Sequence, residues 1–145
     1  MTEEKNLILA IDDDRNMLKL LEKQMQTMGF RLISAMTGRD GLEYAKTGGP
    51  DLILLDIMMP GMDGFEVLRK LRQDPITMKT PIIMVTSKKA KEDVVKAMRL
   101  GVVDYIVKPF GADYIKKKVE SAIRYGQAVR QDDERNRQIM VTRNS

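Results

Sequence analysis

"LILLDIMMPGMDGFEVL", residues 52–68, decides how this chain is read. Leu52, Ile53, Leu54 and Leu55 form an apolar run of strand length, and Asp56 follows at once. Pro60-Gly61 and Asp63-Gly64 then mark a turn, after which Phe65, Leu68 and Leu71 recur at helical spacing. A carboxylate at the exit of so apolar a strand is costly unless other groups meet it there.

Working outward, the same alternation occurs five times. "LILAI" (7–11), "RLISA" (31–35), "DLILLD" (51–56), "PIIMVT" (81–86) and "VDYIVK" (103–108) read as strands. Four are dominated by aliphatic residues, as parallel strands covered on both faces should be; 31–35 is more polar and suits an edge. Between them lie amphipathic stripes. Met17, Leu18, Leu21, Met25 and Met28 form the first, ended by Gly29. Thr37 caps a short helix carrying Leu42 and Ala45. Phe65, Leu68 and Leu71 make the third stripe, Val94, Val95 and Met98 the fourth, and Ile115, Val119, Ala122 and Ile123 the fifth. Methionines on these stripes read as core fillers. Five β-α units predict a doubly wound α/β fold, a five-stranded parallel sheet with helices on both faces. After Tyr125 the pattern weakens; the last helix could be prolonged through Val129, but "RQDDERNRQ" has no apolar face. Residues 1–125 therefore read as one domain and 126–145 as a polar extension, partly helical or disordered.

Composition narrows the chemistry. The 145 residues include no cysteine and no histidine, which excludes disulfides, thiolate metal sites and imidazole bases and leaves oxygen ligands for a hard cation. The longest apolar runs are too short for a bilayer, and "MTEEKN" does not resemble a signal peptide, so a cytoplasmic location without membrane insertion is expected. The net charge of +4 gathers toward the C-terminus among acids, without aromatic interleaving, so direct nucleic-acid binding is not expected.

Polar residues that are unusual in buried strands stand at the strand exits: Asp12 and Asp13 after the first, Asp56 after the third, Thr86 at the fourth and Lys108 at the fifth. Open α/β sheets place ligands at these carboxyl ends. Strand order 3-2-1-4-5 would scatter the five side chains, whereas 2-1-3-4-5, the flavodoxin-like order, brings them together. Clustered carboxylates raise one another's pKa values unless cations compensate. Lys108 supplies one positive charge, and Mg2+ suits the remaining oxygen ligands. An aspartate beside a metal, a lysine and a hydroxyl suits phosphoryl transfer, with Asp56 best placed as nucleophile. Each residue also has an ordinary reading: Asp12 to Asp14 as a helix cap, Asp56 as a turn residue, Thr86 as a strand former, Lys108 as a solvated cation. Their coincidence at four exits argues for a site.

In the order and spacing of "DD" (12–13), "DIMMPGMDG" (56–64), "VTS" (85–87) and "DYIVKPF" (104–110), the chain resembles the receiver domain of bacterial two-component response regulators, from about Leu7 to Ile123. The order 2-1-3-4-5 is that family's own. The resemblance implies Asp56 as phosphoacceptor and Asp13, Asp12 (through water), Asp56 and the Met58 carbonyl around Mg2+, with Mn2+ a substitute. It implies that Lys108 and Thr86 contact the phosphoryl group, that Thr86 and Tyr105 form the switch, and that the Lys108–Pro109 bond is cis. It also implies a sensor histidine kinase or phosphotransfer protein as donor, and a downstream partner read by the fourth helix, fifth strand and fifth helix. Such a domain is a signalling module, assisting only its own phosphorylation and dephosphorylation, and is a monomer or a weak phosphorylation-dependent dimer. Met58 departs from the pattern by offering no polar group to an attacking water, which predicts slow self-dephosphorylation. A haloacid-dehalogenase-type phosphatase would need an acid at position 58, and a flavodoxin-type carrier would not place "DDDRN" in its phosphate loop. With every position of the constellation filled, a pseudo-receiver is not expected. The tail reads first as that of a stand-alone receiver and alternatively as a connection to a separate effector domain.

Overall fold

The computed structural model describes residues 6–143; the polar start at 1–5 and the last two residues lie outside the described residues. The chain alternates β1 (Leu7–Ile11), α1 (Arg15–Thr27), β2 (Arg31–Ala35), α2 (Gly38–Gly48), β3 (Leu52–Leu55), α3 (Gly64–Gln73), β4 (Ile82–Thr86), α4 (Lys91–Arg99), β5 (Asp104–Val107) and α5 (Ala112–Arg143). All strand pairs are parallel, in the order β2-β1-β3-β4-β5. β1, β3 and β4 are buried along their whole length, which is why they read as unbroken aliphatic runs. The more polar β2 is an edge.

Two apolar layers flank the sheet. Leu9, Ile53, Leu55, Phe65, Leu68 and Met84 lie in the layer beneath α2 and α3. Ile8, Leu21, Leu54, Ile83, Ile115 and Val119 lie in the layer beneath α1 and α5. Register sets the site: Asp56 N donates to the Ile11 carbonyl at 3.0 Å and Lys108 N to the Thr86 carbonyl at 2.9 Å, so neighbouring strands end level.

Two sequence expectations change. On α4 only Ala97 is buried; Val95 and Met98 are 38% and 50% exposed, so the Val94, Val95 and Met98 stripe does not form the core face. Apolar spacing marks a helix without saying which side meets the sheet, and here the small Ala97 permits close approach. α5 is one helix of 32 residues and passes Val129 without a break. Its later turns rest on the amino edge of the sheet. Arg130 pairs with Asp51 at 3.0 Å and Asp133 with Lys79 at 2.7 Å. Gly126 faces Pro81 so closely that a Cβ would lie 2.9 Å from its ring. Among the described residues no helix is long and apolar enough to cross a membrane.

Candidate functional site

The carboxyl ends of β1, β3 and β5 bring their polar side chains into one acidic cluster, with β4 lying between β3 and β5. Asp12 and Asp56 are buried, at 2% and 5% exposure, while Asp13 is exposed. Asp12, Asp13 and Asp56 each offer a carboxylate oxygen, all within 4.8 Å of one another. Lys108 Nζ bridges the two buried acids, donating to Asp12 Oδ2 at 2.7 Å and to Asp56 Oδ2 at 3.0 Å. The Lys108–Pro109 peptide is cis.

Helix capping divides the acids by role. Asp14 caps α1, its Oδ1 accepting from Asn16 N at 2.9 Å and Met17 N at 3.3 Å. Asp12 Oδ1 accepts from Asp14 N at 2.9 Å, which fixes its carboxylate at the pocket floor. The ordinary capping reading thus belongs to Asp14, leaving Asp12 and Asp13 turned to the cluster. On the facing loop Asp56 Oδ1 accepts from Met58 N at 3.1 Å. A close approach holds this loop: a Cβ at Gly64 would overlap the Asp56 carbonyl oxygen and crowd the Ile57 backbone. By sequence Gly64 reads only as a turn residue; the signal lies in its position, where α3 begins directly against the Asp56 backbone.

Electrostatics follows from burial. Asp12 is held above the ordinary carboxylate range by burial, against the pull of its bonds from Lys108 and Asp14. Burial also disfavours the Lys108 ammonium, but its bonds to Asp12 and Asp56 outweigh that and raise it above its usual value. Three carboxylates against one ammonium leave two negative charges, and the donors are all oxygens. Such a set fits a small divalent cation.

Thr86 is buried at the end of β4, its Oγ1 accepting from Lys88 N at 3.3 Å. Tyr105 on β5 packs partly against the core, and its hydroxyl donates to the Lys88 carbonyl at 2.6 Å. Burial, then the charges of Asp93 and Asp56, push this phenol up to about 12. Thr86 and Tyr105 therefore both engage Lys88, in the loop after β4.

Over residues 8–120 the chain matches the response regulator receiver domain family. It is 38% identical, over 81% of its length, to the alkaline phosphatase synthesis transcriptional regulatory protein PhoP of Bacillus subtilis, covering 48% of that protein. It is 36% identical, again over 81%, to the response regulator PleD of Caulobacter vibrioides, covering 26% of it. The chain thus spans about half the length of the first of these curated relatives and a quarter of the second. Among solved structures it resembles the Vibrio cholerae chemotaxis protein CheY4, with TM-score 0.78, 28% identity and coverage of 82% of this chain and 99% of that one. It also resembles a CheY-like receiver domain protein from Methanospirillum hungatei, with TM-score 0.81, 26% identity and coverage of 86% and 98%. With the fold, the acidic pocket and these likenesses in agreement, the chain belongs to the receiver domains of two-component response regulators, a family whose general function is a phosphorylation switch.

Proposed function

We propose that Asp56 is the phosphoacceptor, taking a phosphoryl group from a phosphohistidine of a sensor kinase or phosphotransfer protein. The observation that carries this reading is the Lys108 ammonium shared between Asp12 and Asp56 at the level strand ends. An Asp56 carboxylate oxygen attacks phosphorus, the P–N bond breaks, and the imidazole leaves with the electron pair and takes up a proton. Lys108 and Thr86 would hold the incoming phosphoryl oxygens. Receiver domains bind Mg2+ at an acidic cluster of this kind. Asp13, Asp56 and the Met58 carbonyl would hold it directly and Asp12 through water. When bound, the ion neutralises charge on the transferring group.

The phosphoryl group adds charge and strong acceptors at one spot. Thr86 and Lys108 satisfy those acceptors only in one arrangement of their loops, which biases a two-state equilibrium. Thr86 and Tyr105 now share Lys88 as a partner, so a move of Thr86 toward the phosphoryl group frees Tyr105 to turn inward. The α4-β5-α5 face would present this change to a downstream protein, in a monomer or a weak phosphorylation-dependent dimer. A second reading, in which α5 leads to a separate effector domain, is favoured by its unbroken run to Arg143 and by the greater length of the relatives.

Intact-protein mass after incubation with acetyl phosphate and Mg2+ tests the acceptor. A gain of about 80 Da that requires Mg2+ and disappears in Asp56→Asn is expected. An adduct unchanged in Asp56→Asn would overturn the assignment.

A further inference from the structure

We propose that Met58 is a methionine-oxidation site whose sulfoxide shortens the life of the phosphoryl group on Asp56. The inference rests on the phosphoacceptor reading of Asp56 and deepens it. Met58 is 51% exposed and links two loops, one through its backbone and the other through its side chain. At one end its backbone N donates to Asp56 Oδ1 at 3.1 Å. At the other its Sδ accepts from the hydroxyl of Ser87, which follows Thr86, at 3.3 Å. An open cleft of about 570 Å3, lined by Met58, Pro60, Lys88, Asp93 and Lys96 among others, gives a small oxidant access to this side chain.

Composition leaves methionine as the only sulfur in the chain, because no cysteine is present to intercept an oxidant. Burial then sorts the methionines. Met25 and Met84 are fully buried and Met59 nearly so, while Met36, Met58, Met78, Met98 and Met140 are exposed. Of the exposed group, Met58 is the residue bonded to Asp56 and to the residue after Thr86.

Hydrogen peroxide transfers one oxygen to the thioether. The O–O bond breaks, an S–O bond forms, sulfur loses two electrons and the peroxide leaves as water. A thioether is a weak acceptor, whereas a sulfoxide oxygen is a strong one. Hydrolysis of the acyl phosphate requires a water oxygen to attack phosphorus, the bond from phosphorus to the Asp56 oxygen to break, and the water's proton to find an acceptor. The Met58 thioether accepts that proton's hydrogen bond poorly. Its sulfoxide supplies the acceptor at the mouth of the pocket, anchored within reach of Ser87.

The test oxidises the full chain with dilute hydrogen peroxide, quenches with catalase, then phosphorylates with acetyl phosphate and Mg2+. After donor removal, intact mass follows the decay of the phosphorylated species, and peptide mapping locates the sulfoxides. Decay about five-fold faster after oxidation is expected, the size of one net hydrogen bond gained in the transition state. Methionine sulfoxide reductase should reverse it. In Met58→Leu, which keeps the backbone carbonyl, oxidation of the other exposed methionines should leave the decay rate where it was. Complete sulfoxide at Met58 with unaltered decay would overturn the proposal. So would a Met58 that stays reduced while Met98 and Met140 oxidise, or equal acceleration in Met58→Leu. A chain that gains no phosphoryl group before or after oxidation would instead remove the phosphoacceptor reading beneath it.

Discussion

Lys108 and Arg72 are both partly buried cations, at opposite edges of the sheet, and their partners differ in kind. At the carboxyl edge Lys108 faces two buried carboxylates, with a third close by, so the group carries surplus negative charge. At the amino edge Arg72 donates to four backbone carbonyls. These are Thr80 at 2.8 Å, Gly101 at 2.9 Å, Met78 at 3.0 Å and Leu100 at 3.2 Å. Burial lowers the Arg72 pKa, with Tyr125 opposing, yet guanidinium remains charged at neutral pH. Arg72 closes the end of α4 onto the loop before β4 through four of its five N–H groups. Lys108 sits in a group whose remaining negative charge a further cation would balance. Surplus charge suits an edge to chemistry, and a cation held by neutral carbonyls suits one to stability.

Substitutions at the two cations sharpen that contrast. Lys108→Ala should slow phosphorylation by acetyl phosphate about 100-fold, the usual cost of one positioned cationic donor. Arg72→Met should leave that rate within about two-fold of the parent, because it is remote from the pocket. Phosphorylation that failed equally in both variants would erase the distinction. In urea unfolding the order reverses. Arg72→Met should lose about 2 kcal/mol, less than four charged hydrogen bonds suggest because those to Met78 and Gly101 face solvent. In saturating Mg2+, Lys108→Ala should lose less than this, since a cation can replace it there and none can replace Arg72.

Mg2+ itself should stabilise the fold, by about 2.7 kcal/mol at a hundred-fold excess over Kd. The gain should depend on pH. Asp12, raised from 3.8 by burial, favours the fold while protonated; that contribution is complete below 3.8 and is lost as pH rises through the raised value. Mg2+ requires the ionised form. The difference in Tm with and without Mg2+ should therefore vanish at low pH and grow through the same window. A constant difference would mean that Asp12 takes no part in holding the ion.

The smallest effect belongs to the extension of α5. Lys79→Ala should cost less than about 1 kcal/mol, because the Lys79–Asp133 pair is largely exposed. Hydrogen exchange over residues 126–143 checks what stability measurements miss: protection should fall in Lys79→Ala if the pair holds the helix on the sheet edge.

The carboxyl edge was legible in the sequence for a physical reason. Asp12, Asp56, Thr86 and Lys108 each break or end an apolar run, and polarity at such positions stands out against its neighbours. Strand order then followed from requiring those groups to meet. The amino edge carries no comparable signal. Arg72 binds backbone carbonyls, which every residue possesses, so its partners leave no trace in side-chain identity. The continuation of α5 depends on Asp51 meeting Arg130 and Lys79 meeting Asp133, pairs 79 and 54 residues apart that no local pattern joins. Asp51, read as the start of a strand, in fact also accepts from Leu7 N at 2.8 Å. On α4 the apolar spacing was real, but the sheet selects the side with Ala97, leaving Val95 and Met98 outward.

The central claim is that the surplus-charge edge directs a phosphoryl group to one carboxylate, and locating that group tests it most directly. Borohydride reduction of the chain phosphorylated by acetyl phosphate converts an aspartyl phosphate to homoserine, which peptide mapping then places. Homoserine at position 56, absent without Mg2+, is the predicted result. Homoserine at position 12 or 13 would contradict the account, because the acid bridged to Asp12 by Lys108 would then not be the nucleophile.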